Sequence, residues 1–168
     1  LLTMALVLSA CSTVEDVTLP VTSSSEKALE LYNEAMEFSD KWEAREAQQK
    51  MAAALRIDPD FILANLYAGA EEASLIRQYR ARAVKNKSNG TEAEEIQVDM
   101  WIARREGRQN DAMDLAKKLI EKYPNISEPY IILGDMQSQA QDFDAAIKTY
   151  LKATEINPKS LNAWFGLF

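Results

Sequence analysis

Histidine is absent from this chain, and with it go the commonest general base, the Ser-His-Asp and Cys-His arrangements, and most zinc sites. Only one cysteine is present, Cys11, so no intrachain disulfide can form. Glycine is scarce, with five residues that all stand alone, and this excludes a glycine-rich loop of the phosphate-cradling kind. Positive charge is the minority: 19 Lys and Arg face 26 Asp and Glu, for a net charge of −7. Such a balance argues against general nucleic-acid binding, which needs a cationic surface to release phosphate counterions. No catalytic residue, cofactor or metal site is therefore expected, since a catalytic centre would have to be built from carboxylates and lysines alone. Ser24 and Lys27 have Ser-x-x-Lys spacing but no companion motif, and a helix cap accounts for the same residues.

What is present is apolar and helical in character. Hydrophobic residues make up 47% of the 168, against five glycines and five prolines. Residues 1–10 are apolar and uncharged but too short to span a bilayer. They read as the remnant of a signal peptide. The run closes on Leu8-Ser9-Ala10-Cys11, which resembles the lipobox of bacterial lipoproteins: a branched apolar residue, two small residues and the cysteine that takes lipid. The resemblance implies lipidation at Cys11 and attachment to a membrane. Ser12, rather than Asp, follows the cysteine, and by the same resemblance this implies the outer membrane, facing the periplasm. Residues 11–25 carry Pro20 and no helical period, so they are expected to be a flexible tether.

A helical pattern begins near Ser23-Ser24-Ser25-Glu26, where a Ser followed three residues later by Glu fits a capping box. Ala28, Leu31, Tyr32, Ala35 and Phe38 recur at helical spacing, and a second helix is expected from about Lys41 to Asp58-Pro59. Pro124 and Pro158 lie 34 residues apart. Counting back from Pro158, the chain has Ala153, Tyr150, Ala146, Gly134, Leu133 and Tyr130, with Gln137 the one departure from an aromatic.

Residue types at these offsets resemble the tetratricopeptide repeat family, in which small residues stand where two helices cross and aromatics fill the space beside them. The resemblance implies an all-α fold, an α-solenoid of helix-turn-helix repeats over residues 26–168. Repeats are expected at about 28–61, 62–92, 93–126 and 127–160, with another starting at 161. The unit at 62–92 is divergent: Gly69 and Ala81 keep the crossing positions, but the closing proline is missing and Asn89-Gly90 offers a turn instead. A single helical hairpin of another type is the alternative there. An apolar half-helix at the chain's end, Leu161 to Phe168, leads us to expect a fragment of a longer protein, cut at both ends.

In this family the first helix of each repeat lines a concave groove. Carried over by offset, the groove would hold Tyr32, Asn33 and Met36, then Leu66 and Tyr67, then Gln97, Trp101, Arg104 and Arg105, then Asp135 and Gln139. Trp101 with the two arginines could grip a peptide carboxylate or an acidic segment. The competing reading packs Trp101 between repeats and leaves the arginines solvated or paired with Glu94 and Glu95. Arg77, Arg80, Arg82, Lys85 and Lys87 form a basic stretch that reads as a solvated helix face or as a contact for anionic headgroups. The function expected is a non-catalytic scaffold or adaptor for protein partners at the bacterial envelope, its partner an unidentified protein or peptide. The alternative is a docking module for an envelope enzyme whose catalytic domain lies beyond Phe168.

Overall fold

The computed structural model describes residues 18–168, so Cys11 and the signal remnant at 1–10 lie outside the described residues. The described chain is all-α: α1 (Glu26–Asp40), α2 (Ala44–Ile57), α3 (Ile62–Tyr67), α4 (Ala73–Asn86), a short 3-10 turn (Lys87–Asn89), α5 (Glu92–Arg105), α6 (Gln109–Lys122), α7 (Glu128–Gln139), α8 (Phe143–Ile156) and α9 (Leu161–Phe165). Short turns force consecutive helices into antiparallel pairs. α1 packs on α2, α3 on α4, α5 on α6 and α7 on α8, and α2·α3 and α6·α7 contacts link pair to pair. The α-solenoid expected from the repeat pattern is thus the fold.

The turns inside three of the pairs share one backbone device. Trp42, Gly107 and Gln141 each precede the pair's closing proline by 17 residues, and each has a positive φ, of 64°, 75° and 62°. A left-handed residue lets the chain reverse in three residues, and only glycine adopts it without steric cost. At Gly134 the requirement is different. A Cβ there would lie 2.7 Å from the Tyr150 ring, so the glycine is what lets α7 and α8 approach.

The second pair differs from the expectation. α3 stops at Tyr67, after only six residues, so Gly69 lies in the α3–α4 connection and not at a helix crossing. Its N–H donates to Gln48 Oε1. Ala81 is exposed, and Ala83 is the residue of α4 that is buried. Without a long first helix there is no crossing for two small residues to serve. Asn89-Gly90 does form the expected turn, after which Thr91 caps α5 in a full capping box with Glu94.

Two further starts are corrected. α1 is capped by Ser25, whose hydroxyl accepts from Ala28 N–H, while the Ser23 hydroxyl donates to Asp58 at 2.7 Å. α2 begins at Ala44 rather than Lys41, because the left-handed Trp42 interrupts the helical run.

Two buried clusters form the core. One joins Ala28, Tyr32, Ala35, Met51, Phe61, Leu63 and Leu66 from the first two pairs, and the rings of Tyr32 and Phe61 lie 4.9 Å apart. The other joins Ala93, Ile96, Met100, Ala112, Leu119, Leu133 and Met136 from the last two. The stack also curves far enough for its ends to meet. Asp40, the last residue of α1, accepts from the Ser160 hydroxyl at 3.1 Å and from the backbone N–H groups of Leu161 and Asn162. Trp42 Nε1–H donates to Asn162 Oδ1 at 2.9 Å, and the Trp42 and Phe165 rings meet edge to face at 4.2 Å.

Candidate binding site

Because α1 touches α9, the concave side of the stack becomes a cavity of about 680 Å³. Its apolar lining includes Tyr32, Met36, Leu63, Ile131 and Ile132, and its polar lining includes Asn33, Glu128 and Asn157. Tyr32, Asn33 and Met36, all expected to face the groove, are therefore found there. Tyr32 keeps only its edge in contact with this space, being buried in the first core cluster. Burial raises its hydroxyl well above the ordinary phenol range, and the Glu128 carboxylate adds to the effect.

The other expected groove residues are distributed differently. Leu66 is buried in the core and presents nothing to a ligand. Gln97 is 2% exposed; its Oε1 accepts from the Tyr67 hydroxyl, and its Nε2 has no partner among the described residues. Burial raises the Tyr67 hydroxyl, with Glu128 reinforcing the shift and Arg80 and Arg104 opposing it. Tyr67 therefore stands in the field of both Glu128 and Arg104.

Trp101 is half-buried against the first core cluster, and the Arg105 guanidinium lies over its ring at 5.6 Å. Arg104 is exposed and donates to Gln139 Oε1 at 3.3 Å. Asp135 accepts from the Tyr150 hydroxyl at 2.6 Å. Partial burial raises the Asp135 carboxyl, opposed by that hydrogen bond and by Arg104. Thus Arg104, Asp135 and Gln139 form one polar patch across α5 and α7, with Trp101 and Arg105 beside it. Among the described residues neither arginine pairs with Glu94 or Glu95: Glu94 is 0% exposed and is committed elsewhere. In the basic stretch of α4 and the turn after it, Arg80 donates to the Asn65 carbonyl and Lys87 pairs with Asp99, so two of its five cations serve the fold.

Two features had no part in the expected site. The first is Glu128, at the start of α7. Its carboxyl faces the cavity, and burial pushes it up to about 7. An acidic residue in the first turn of a helix is ordinary in sequence. Here the curvature of the stack half-buries it against the cavity wall.

The second is the segment expected to be a flexible tether. From Thr18 onward it is packed onto the fold. Leu19 is 3% exposed within the second core cluster, and Val21 packs against the first. Pro20 holds Leu19 in an extended conformation, and its carbonyl accepts from Thr91 Oγ1 at 2.8 Å. Thr22 donates twice to the Glu94 carboxylate, from N–H at 3.1 Å and from Oγ1 at 2.7 Å. Ser23 and Ser24 bond to Asp58. Burying one leucine is worth about 2 kcal/mol, enough with these charged hydrogen bonds to hold a short extended segment in place. Leu19 and Val21, two positions apart, were the available signal, but five residues are too few for a period to stand out. Among the described residues no group of acidic side chains could hold a metal ion, and no helix is long and apolar enough to cross a membrane.

Comparison with known proteins places these helices in context. The tetratricopeptide repeat family model matches residues 127–160, the α7–α8 pair and its closing turn. A solved tetratricopeptide repeat protein from Parabacteroides merdae is similar at 19% identity, over 84% of this chain and 58% of that one, with a TM-score of 0.43. The chain thus spans under two thirds of that protein's length. No curated protein matches.

Proposed function

We propose that this chain, whose α7–α8 pair matches the tetratricopeptide repeat family, is a non-catalytic scaffold or adaptor for protein partners, held at the bacterial envelope by lipid on Cys11. The observation that carries the binding role is the concave face. It offers an apolar cavity wall from α1 and α7, and α5 and α7 carry a separate polar patch of Arg104, Asp135 and Gln139 outside the cavity lining. On α5 the half-buried Trp101 and the exposed Arg104 are of the residue types that most often anchor a protein partner. The anchor and the outer-membrane address rest on Leu8-Ser9-Ala10-Cys11 and Ser12. Three acyl chains at about 0.8 kcal/mol per buried CH₂ would hold such a protein on the bilayer essentially permanently.

The experiment is capture of partners by residues 12–168, comparing wild type with Trp101→Ala/Arg104→Ala. Specific capture that the double variant loses supports the groove; no specific capture by either protein overturns it. Incorporation of labelled fatty acid, present in wild type and absent in Cys11→Ser, tests the anchor, and equal labelling of both removes it.

A further inference from the structure

We propose that Thr18–Thr22 is a built-in occupant of the concave groove, and that the partner this groove accepts is an extended segment of like chemistry: an apolar residue, a proline, and a hydroxyl residue two positions after the proline. This rests on the reading of the concave face as a protein-binding groove and names the class of ligand it takes.

The geometry is that of a bound peptide. Leu19 is buried in one apolar cluster with Ile96, Met100 and Leu133, and it lines the cavity together with Met36 and Ile131. Proline after it keeps the segment extended, so side chains leave the backbone alternately: Leu19 and Val21 go to the apolar clusters and Thr22, on the other face, to Glu94. The Pro20 carbonyl and the Thr22 N–H are both engaged, by Thr91 Oγ1 and by the Glu94 carboxylate. The Thr22 hydroxyl adds a second bond to Glu94. Main-chain bonds supply grip and the Leu19 slot and Glu94 supply selectivity, which is how grooves read extended segments.

Two features separate an occupant from a mere brace. The recognising groups belong to α5: Thr91 and Glu94 already satisfy each other in the capping box, so α5 does not need the strap to end properly. The strap is also joined to the fold at one described end only, through Ser23 and Ser24 on Asp58, which would hold its base when Leu19 leaves. Tethering raises its effective concentration in the groove, so a free segment of equal affinity is held off until it outcompetes the strap.

The test uses the full chain and a fluorescent peptide, Thr-Leu-Pro-Val-Thr-Ser-Ser, read by anisotropy. Leu19→Ser should empty the slot and raise affinity for the peptide at least tenfold over wild type, while a peptide with serine in place of its leucine binds neither protein. Thr22→Val, which removes one bond to Glu94 and keeps Leu19, should give an intermediate increase. A folded Leu19→Ser chain that takes no peptide, or that takes both peptides equally, overturns the proposal. So does an unfolded Leu19→Ser chain by circular dichroism combined with unchanged binding in Thr22→Val, because the strap is then part of the core. Partner capture lost in Trp101→Ala/Arg104→Ala, without peptide uptake, would leave the groove standing and remove only its strap.

Discussion

The Asp40 carboxylate accepts a hydrogen bond from the Ser160 hydroxyl at 3.1 Å, across 120 residues of chain. The same carboxylate reaches the first two N–H groups of α9, so the end of α1 caps a helix at the other end of the stack. Replacing it by alanine removes an acceptor from those unsatisfied N–H groups. Asp40→Ala should cost about 1 kcal/mol, and amide exchange at Leu161 and Asn162 should rise while that of α5 does not. Uniform exchange across both helices would mean that the junction does not hold the ends together.

Gln141 occupies the left-handed turn position that glycine fills at 107. Gln141→Gly should therefore stabilise the chain by about 0.5–1 kcal/mol, the left-handed strain relieved less the entropy of a freer unfolded chain. Gly107→Ala should do the opposite by a similar amount, because a Cβ there meets nothing within 4 Å and only the backbone is affected. Urea titration of both variants gives the two signs directly.

Glu128 sets a pH dependence. Its carboxyl is held at about 7 by burial, above the ordinary value of 4.5. Between those values the folded state keeps a proton that the unfolded state has lost, so stability falls as pH rises through this window. Glu128→Gln, which cannot ionise, should flatten the fall between pH 5 and pH 8. At pH 8 it should be more stable than wild type by about 1–3 kcal/mol. Equal pH slopes in urea titrations of the two proteins would mean that the carboxyl is solvated.

Tyr150 lies where α7 and α8 come closest, its ring against Gly134 and its hydroxyl on Asp135. Gly134→Ala would bring a methyl group to 2.7 Å from that ring and should cost about 1–3 kcal/mol. Tyr150→Phe keeps the packing and loses the hydroxyl, and should cost about 1 kcal/mol. Thermal unfolding that ranks the pair in the reverse order would place the strain elsewhere.

Much of this architecture was legible in local patterns. Small residues at Gly134 and Ala146, with Tyr150 beside them and Pro158 at the close, specify a tight helix pair, because each satisfies a requirement met within one repeat. The second pair was misread because Gly69 was given a helix-crossing position, whereas α3 ends at Tyr67 and Gly69 lies just past its cap residue Ala68, in the connection to α4. Leu66 and Gln97 were assigned to the groove by offset, yet both are buried, Leu66 in the core and Gln97 accepting from the Tyr67 hydroxyl.

The sequence by itself determined the helices, their pairing and their all-α class, because those depend on residues at most one repeat apart. Tertiary structure alone decided that the ends meet at Asp40 and Ser160, that Glu128 is partly buried at the cavity, and that Leu19 packs against it. These depend on the summed curvature of successive pairs, where a small rotation at each interface accumulates and brings together residues whose separation in sequence carries no signal.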